Sequence, residues 1–118
     1  MDFSNLQNQL RAFAQERDWE KFHTPKNLVM ALSGEVGELT ELFQWLTSEE
    51  SKNVMGSISK DDVSDELADV LVYCLRICDV LQVDPYQVIQ TKMQKNAEKY
   101  PVHLAKGSAA KYTEYEKK

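Results

Sequence analysis

Two pairs of acids, Glu35-Val-Gly-Glu38 and Glu66-Leu-Ala-Asp69, are the residues of this chain best spaced for chemistry. Within each pair the acids stand at i and i+3, and a helix sets such residues on one face. Projected at about 100° per residue, Leu28, Leu32, Val36, Leu39, Phe43 and Leu46 make an apolar stripe. Glu35 falls inside the arc bounded by Leu28, Ala31, Leu39 and Leu42, and Glu38 lies on its flank beside Trp45. Glu66 is placed likewise among Val70, Tyr73, Ile77 and Val80, with Asp69 on the flank. A carboxylate on a buried face is costly unless something positive neutralises it. Two helices packed on these faces would gather four carboxylates, and like charges at that range either raise their pKa values or hold a cation. An all-oxygen set suits a hard ion, Mg²⁺ or Mn²⁺, better than zinc. The alternative is a pair of ordinary solvated acid clusters, because a single E-x-x-E on a helix is common. Two pairs tilted into apolar arcs are harder to read that way.

Other side chains are placed to meet a ligand. Trp19, Phe22 and His23 bring rings into one short stretch, and they either pack over helix ends or line a pocket for a flat molecule. Lys92, Asn96 and Lys99 recur at i, i+4 and i+7, so one helix edge offers donors to phosphate, unless these side chains are simply solvated. Gly34 and Gly37 flank Glu35. Each costs roughly 1 kcal/mol against Ala in a helix interior, which suits close approach of another backbone or a ligand, the alternative being a helix loosened to no purpose. Cys74 and Cys78 stand at i and i+4 with no His or third Cys nearby; they read as small buried hydrophobes rather than soft-metal ligands.

The elements that must hold these groups are all helical. A first helix is predicted from Ser4 to Arg17, with Ser4 and Gln7 in the form of a capping box and Phe3, Leu6, Leu10 and Phe13 on one side. Thr24-Pro25, a capping residue followed by proline at the first helical position, opens a second helix that runs to about Trp45-Leu46. Thr47 to Ser59 is polar and serine-rich and reads as a loop. Ser59 caps a third helix, which carries Asp61 and Asp62 in its first turn and reaches Leu81. Asp84-Pro85 opens a fourth, ending at Lys99, with Val88, Ile89, Met93, Ala97 and Tyr100 on its inner face. The polar tail, residues 102–118, shows no clear period, and no stretch reads as a strand.

At 118 residues the chain reads as a single domain, residues 1–118. Its 14 basic and 19 acidic side chains give a net charge of −5, which argues against polymeric nucleic acid as a ligand. No apolar run reaches the roughly 20 residues that span a bilayer, and Met1-Asp2-Phe3-Ser4 lacks the features of a signal peptide. The cytoplasm is the expected compartment. Val70-Leu71-Val72-Tyr73-Cys74-Leu75 is apolar almost all round. A helix of that kind must be covered on every side, and a chain this short has few elements to do so, which predicts a homo-oligomer.

The strings around the acids go further than their spacing. Arg17-Asp18-Trp19-Glu20, Gly34-Glu35-Val36-Gly37-Glu38-Leu39, Phe43-Gln44-Trp45, Asp65-Glu66-Leu67-Ala68-Asp69-Val70-Leu71, Lys99-Tyr100-Pro101-Val102-His103-Leu104, Lys106-Gly107-Ser108 and Lys111-Tyr112-Thr113 together resemble the all-α nucleoside triphosphate pyrophosphohydrolases of the MazG type, and among them the dCTP pyrophosphatase branch. The resemblance covers nearly the whole chain. It implies a four-to-five-helix bundle completed by oligomerisation into a tetramer, a dimer of dimers. It also implies Mg²⁺-dependent hydrolysis of dCTP or a related deoxynucleoside triphosphate to the monophosphate and pyrophosphate, a reaction that cleans the nucleotide pool. Carried over by position, Glu35, Glu38, Glu66 and Asp69 are the metal ligands, with Glu38 and Glu66 catalytic. Trp19, Phe22 and Trp45 resemble base-pocket residues, and Tyr73, Lys92 and Asn96 resemble sugar and phosphate contacts. The chain departs from the branch at Leu10, where dCTP-preferring members carry a histidine; an apolar side chain cannot hydrogen-bond a base edge. Acceptance of several pyrimidine deoxynucleotides, or of dATP, therefore stays open, with His23 as a side chain able to compensate.

The competing reading is a non-catalytic helical module that uses the same acids for a structural or sensing Mg²⁺. A di-iron carboxylate protein would need Glu-x-x-His pairs, and His23 and His103 lie outside the acid helices.

Overall fold

The computed structural model describes residues 3–117 and is helical throughout, with no strand among the described residues. Met1 and Asp2, read above as part of an N-terminus without a signal peptide, and Lys118 at the end of the tail lie outside the described residues. The helices are α1 (Ser4–Glu16), α2 (Pro25–Phe43), α3 (Ser48–Ser51), α4 (Lys60–Val80), α5 (Pro85–Lys99) and α6 (Val102–Ala105), with 3₁₀ turns at Glu20–Phe22, Val54–Gly56 and Tyr112–Lys117. No described helix is long and apolar enough to cross a membrane. The chain divides into two compact units, Met1–Val83 and Asp84–Lys118.

In the first unit α4 is the central element: α2 packs along it, and α1 and the Val54–Gly56 turn pack against it as well. Ala14, Leu28, Val54, Val63 and Leu75, contributed by all of these elements, are its buried apolar side chains among the described residues. The start of α2 follows its sequence signal. Thr24 Oγ1 accepts from the Asn27 N–H at 3.2 Å, Pro25 occupies the first turn, and the Asn27 side chain donates to the Phe22 carbonyl at 3.1 Å. That last bond ties the short aromatic turn to the helix it precedes.

Helices α1 and α4 end in the same way. The Asp18 N–H donates to Gln15 O at 3.0 Å and the Trp19 N–H to Ala14 O at 2.9 Å, while Gln82 donates to Asp79 O at 3.2 Å and Val83 to Cys78 O at 2.8 Å. These are paired Schellman bonds, which require a left-handed residue just past the helix. Asp18 (φ 54°) and Gln82 (φ 56°) supply it. At the end of α1 the motif's usual apolar contact is made by Trp19, whose ring meets Phe13 edge-on at 5.8 Å.

Three expectations are corrected. The first helix has Phe3 at its cap position and no side-chain cap there, so Ser4 begins the helix rather than capping it, and the Gln7 N–H donates to the Phe3 carbonyl at 2.8 Å. The 47–59 segment is not a plain loop: Thr47 and Glu50 form a reciprocal capping box (Glu50 N–H to Thr47 Oγ1, 3.1 Å; Thr47 N–H to Glu50 Oε1, 2.9 Å) that nucleates α3. Ser59 stands at the cap position of α4, but its side chain makes no capping bond.

In the second unit Asp84 caps α5 through its side chain, accepting from Tyr86 N (2.9 Å) and Gln87 N (3.3 Å), with Pro85 in the first turn. The tail has more structure than its composition predicts. α6 follows Pro101, and Tyr112 and Tyr115 each meet the Tyr100 ring edge-on at 6.0 Å.

Candidate active site

The α2/α4 pair places the acids. Glu35 and Glu38 rise from consecutive positions of one α2 face, Glu66 faces them from α4, and each of the three offers a carboxylate oxygen within 4.8 Å of the others. Asp69 stands outside that group, one helical turn on from Glu66 on α4, but its charge acts on Glu35. Glu38 and Asp69 are exposed, whereas Glu35 and Glu66 are half-buried. The Oε2 atoms of Glu35 and of Glu66 are buried without a hydrogen-bond partner. Burial first, and then the Glu38 and Glu35 carboxylates, push Glu66 up to about 7. Burial first, and then the neighbouring Glu38 and Asp69, raise Glu35 as well, while Glu66 works against the rise. No positive side chain forms an ion pair with any of these acids among the described residues.

A second feature lies one turn away along the same helices. Trp19, Phe22, His23, Asn27, Leu28, Ala31 and Tyr73 line a cavity of about 360 Å³. Ala31 precedes Glu35 by four residues on α2, and Tyr73 follows Asp69 by four on α4. On each helix the cavity wall and the acids are therefore consecutive turns of one face, about 5.4 Å apart along the axis. The rings of the aromatic turn do both things the sequence allows: they line this cavity, and Trp19 packs on Phe13 at the end of α1.

The remaining candidates are placed differently. Trp45 follows α2 and is 87% exposed, outside the walls of this cavity. Lys92 and Asn96 are on α5 in the second unit, where Lys92 joins Val88, Ile89, Thr91 and Lys95 around a cavity of about 530 Å³. Around Gly34 and Gly37 an added Cβ would meet nothing within 4 Å, so nothing in the described chain makes the close approach that their positions suit. The sequence reading also passed over Asn27 in the cavity wall, and Arg76 and Asp79 on α4. Arg76 is 4% exposed, donates to Asp79 Oδ2 at 2.8 Å and reaches His23. The available signal was a guanidinium inside an apolar run with an acid three residues on, because a buried Arg needs a partner.

Comparison with known proteins follows the same residues. The model of the MazG-like family matches residues 30–115, which hold all four acids. The dCTP pyrophosphatase 1 of Bos taurus is 48% identical over 103 residues, covering 86% of this chain and 61% of that protein. The Homo sapiens protein of the same name is 47% identical over the same length. The chain thus spans 61% of the length of the curated relatives it matches. A pyrophosphatase of known crystal structure from Archaeoglobus fulgidus superposes with a TM-score of 0.79 at 45% identity, covering 84% of this chain and 92% of that one.

Proposed function

The chain belongs to the MazG-like family, and from that premise we propose that it hydrolyses deoxynucleoside triphosphates, dCTP foremost, to the monophosphate and pyrophosphate in a Mg²⁺-dependent reaction. Relatives named dCTP pyrophosphatase 1 at 47–48% identity support the substrate class. The observation that carries the reading is the group of three carboxylates, two of them with buried oxygens that lack a partner. Such oxygens are unsatisfied as they stand, and a hard divalent cation meets the need of every one of them. The donor set fits the ion. Glu35, Glu38 and Glu66 would hold it, with Asp69 as a fourth ligand from the next turn of α4, and Mn²⁺ suits the same oxygens. When bound, the ion neutralises charge on the triphosphate and on the acids.

The chain's own residues supply the rest. Trp19, Phe22 and Tyr73 offer ring faces and edges to a nucleobase and its sugar, and a cavity one turn from the acids supports a substrate whose base and phosphates follow one another along α2 and α4. Phosphoryl transfer asks mainly for positioning and charge neutralisation. Cleavage of the bond between the α and β phosphates adds the oxygen of water to one product. Glu38, the exposed member of the cluster, is the carboxylate that orients this water and takes its proton, and Glu66 completes the site as ligand. Lys92 and Asn96 as phosphate and sugar contacts, Trp45 as a further base contact, a tetrameric assembly and a cytoplasmic setting belong to the same proposal.

The test is product analysis after incubation with Mg²⁺ and each of the four dNTPs in turn. Monophosphate and pyrophosphate are expected, fastest with dCTP, and EDTA should stop their appearance. A folded, Mg²⁺-binding protein that releases no pyrophosphate from any of them would overturn the proposal.

A further inference from the structure

Beside the acids the first unit holds a second charged group, with no part in the hydrolysis as drawn. Arg76 is the buried charged residue among the described residues, at 4% exposure. Its Nη1 donates to Asp79 Oδ2 at 2.8 Å, and the Arg11 Nε donates to the same oxygen at 2.9 Å, while a further Arg11 nitrogen pairs with Asp79 Oδ1. The Arg76 Nε, on the guanidinium's other side, donates to His23 Nδ1 at 3.4 Å. His23 and Arg76 line a small cavity of about 100 Å³ whose walls share Trp19, His23 and Tyr73 with the larger ring-lined one.

A guanidinium has donors only. The His23 Nδ1 that meets it must therefore be the unprotonated nitrogen, and a neutral imidazole then carries its proton on Nε2. Burial, and then the charge of Arg76, hold the His23 pKa below its ordinary value, which favours the neutral ring that this contact requires. We propose that Arg76, clamped by Asp79 and Arg11, is a positioning residue that fixes His23 as its Nε2–H tautomer, so that the cavity offers a hydrogen-bond donor to a carbonyl on the edge of a pyrimidine base. This rests on the nucleotide reading of the cavity given above. The ring carbonyl next to the glycosidic nitrogen is common to cytosine, thymine and uracil, so the donor gives affinity for pyrimidines without telling them apart.

Imidazole ¹H–¹⁵N spectra of the whole chain in EDTA, with and without dCMP, read the tautomer directly, and steady-state kinetics with dCTP read its use. In the wild type His23 should show a single Nε2–H tautomer whose signals shift on adding dCMP. Arg76→Met should give a mixture of tautomers and raise KM about three- to tenfold, the usual weight of one hydrogen bond, with kcat nearly unchanged. In a His23→Phe background Arg76→Met should leave KM where it was, because both changes remove one interaction. Should Arg76→Met fail to fold, His23→Gln, which keeps a donor, should restore KM to within about twofold of wild type relative to His23→Phe. An Nδ1–H tautomer in the wild type, or an equal rise in KM from Arg76→Met in both backgrounds, overturns the positioning role and leaves the hydrolase standing. A dCMP-responsive Nε2–H tautomer in a protein that releases no pyrophosphate overturns the hydrolase and leaves the positioning role.

Discussion

At the scale of single residues, Glu66 tests the cluster most sharply. Its carboxyl is pushed up to about 7 by burial and by Glu38 and Glu35, which is what a carboxylate does among its own kind without a cation. Mg²⁺ should therefore bind with release of protons and raise the thermal midpoint of the wild type. Glu66→Gln keeps the shape and removes the charge. We expect at least a 100-fold loss of pyrophosphate release, because loss of a mere outer-shell partner of a metal already costs about 10- to 100-fold, and loss of the Mg²⁺-induced rise in melting temperature measured by calorimetry. Asp79 bears on stability instead. The Arg11 hydrogen bond, and after it the charges of Arg11 and Arg76, hold the Asp79 carboxyl below the usual carboxylate range. A carboxyl depressed in the folded state stabilises the fold fully above its unfolded pKa, and that contribution is lost as pH falls through the folded value. Asp79→Asn should thus cost about 3 kcal/mol near neutral pH by leaving Arg76 without its counter-charge. Urea unfolding between pH 7 and pH 3 should show a flatter acid decline in the variant than in the wild type. The acid pairs were legible in the sequence because i, i+3 spacing and an apolar arc are properties of a helix alone. Arg76, Asp79 and their reach to His23 were not, because the contact between α4 and the aromatic turn crosses more than fifty residues of chain.

At the scale of the elements, the helix starts marked by Thr24-Pro25 and Asp84-Pro85 were readable because a cap acts within three residues of itself. The helix stops were less so. Glycine is the usual sign of a left-handed helix end, and here Asp18 and Gln82 take that conformation instead. The composition of the 47–59 segment concealed the Thr47-Ser48-Glu49-Glu50 capping box, and three tyrosines too far apart for a helical period gather only after the chain turns at Pro101. The left-handed stop of α4 gives a prediction at this scale. Gln82 has no β-branch but does have a Cβ, which disfavours the left-handed region by roughly 1 kcal/mol relative to glycine. Gln82→Gly should raise the stability of the first unit by about 1 kcal/mol, the gain being offset in part by glycine's freedom in the unfolded chain. The denaturation midpoint should move up with an unchanged slope on denaturant. A fall would mean that the Gln82 side chain holds something that its open position does not show.

At the scale of the molecule, the first unit has less core than its sequence demands. Val70-Leu71-Val72-Tyr73-Cys74-Leu75 is apolar nearly all round, yet only Leu75 of these is buried; Leu71 is 55% exposed, and Leu67 one turn before it is exposed too. Val29, Met30 and Val36 on α2 and Leu6 and Phe13 on α1 are likewise open. Single exposed hydrophobes are ordinary. Apolar residues on three neighbouring helices are a surface that asks for cover, and the homo-oligomer proposed above would supply it from a second copy of the chain. Light scattering should therefore give a solution mass that is a multiple of 13.6 kDa, four copies being the assembly that the resemblance implies. Leu71→Glu puts a charge on the outer face of α4, away from the cavity walls and from the acids. It should shift the mass toward the single chain at micromolar concentration, with helical circular dichroism kept, and should make the melting temperature depend more steeply on protein concentration. A wild type that scatters as a single chain at every concentration would show that this apolar surface is left to water, and would remove the oligomer from the account of the site.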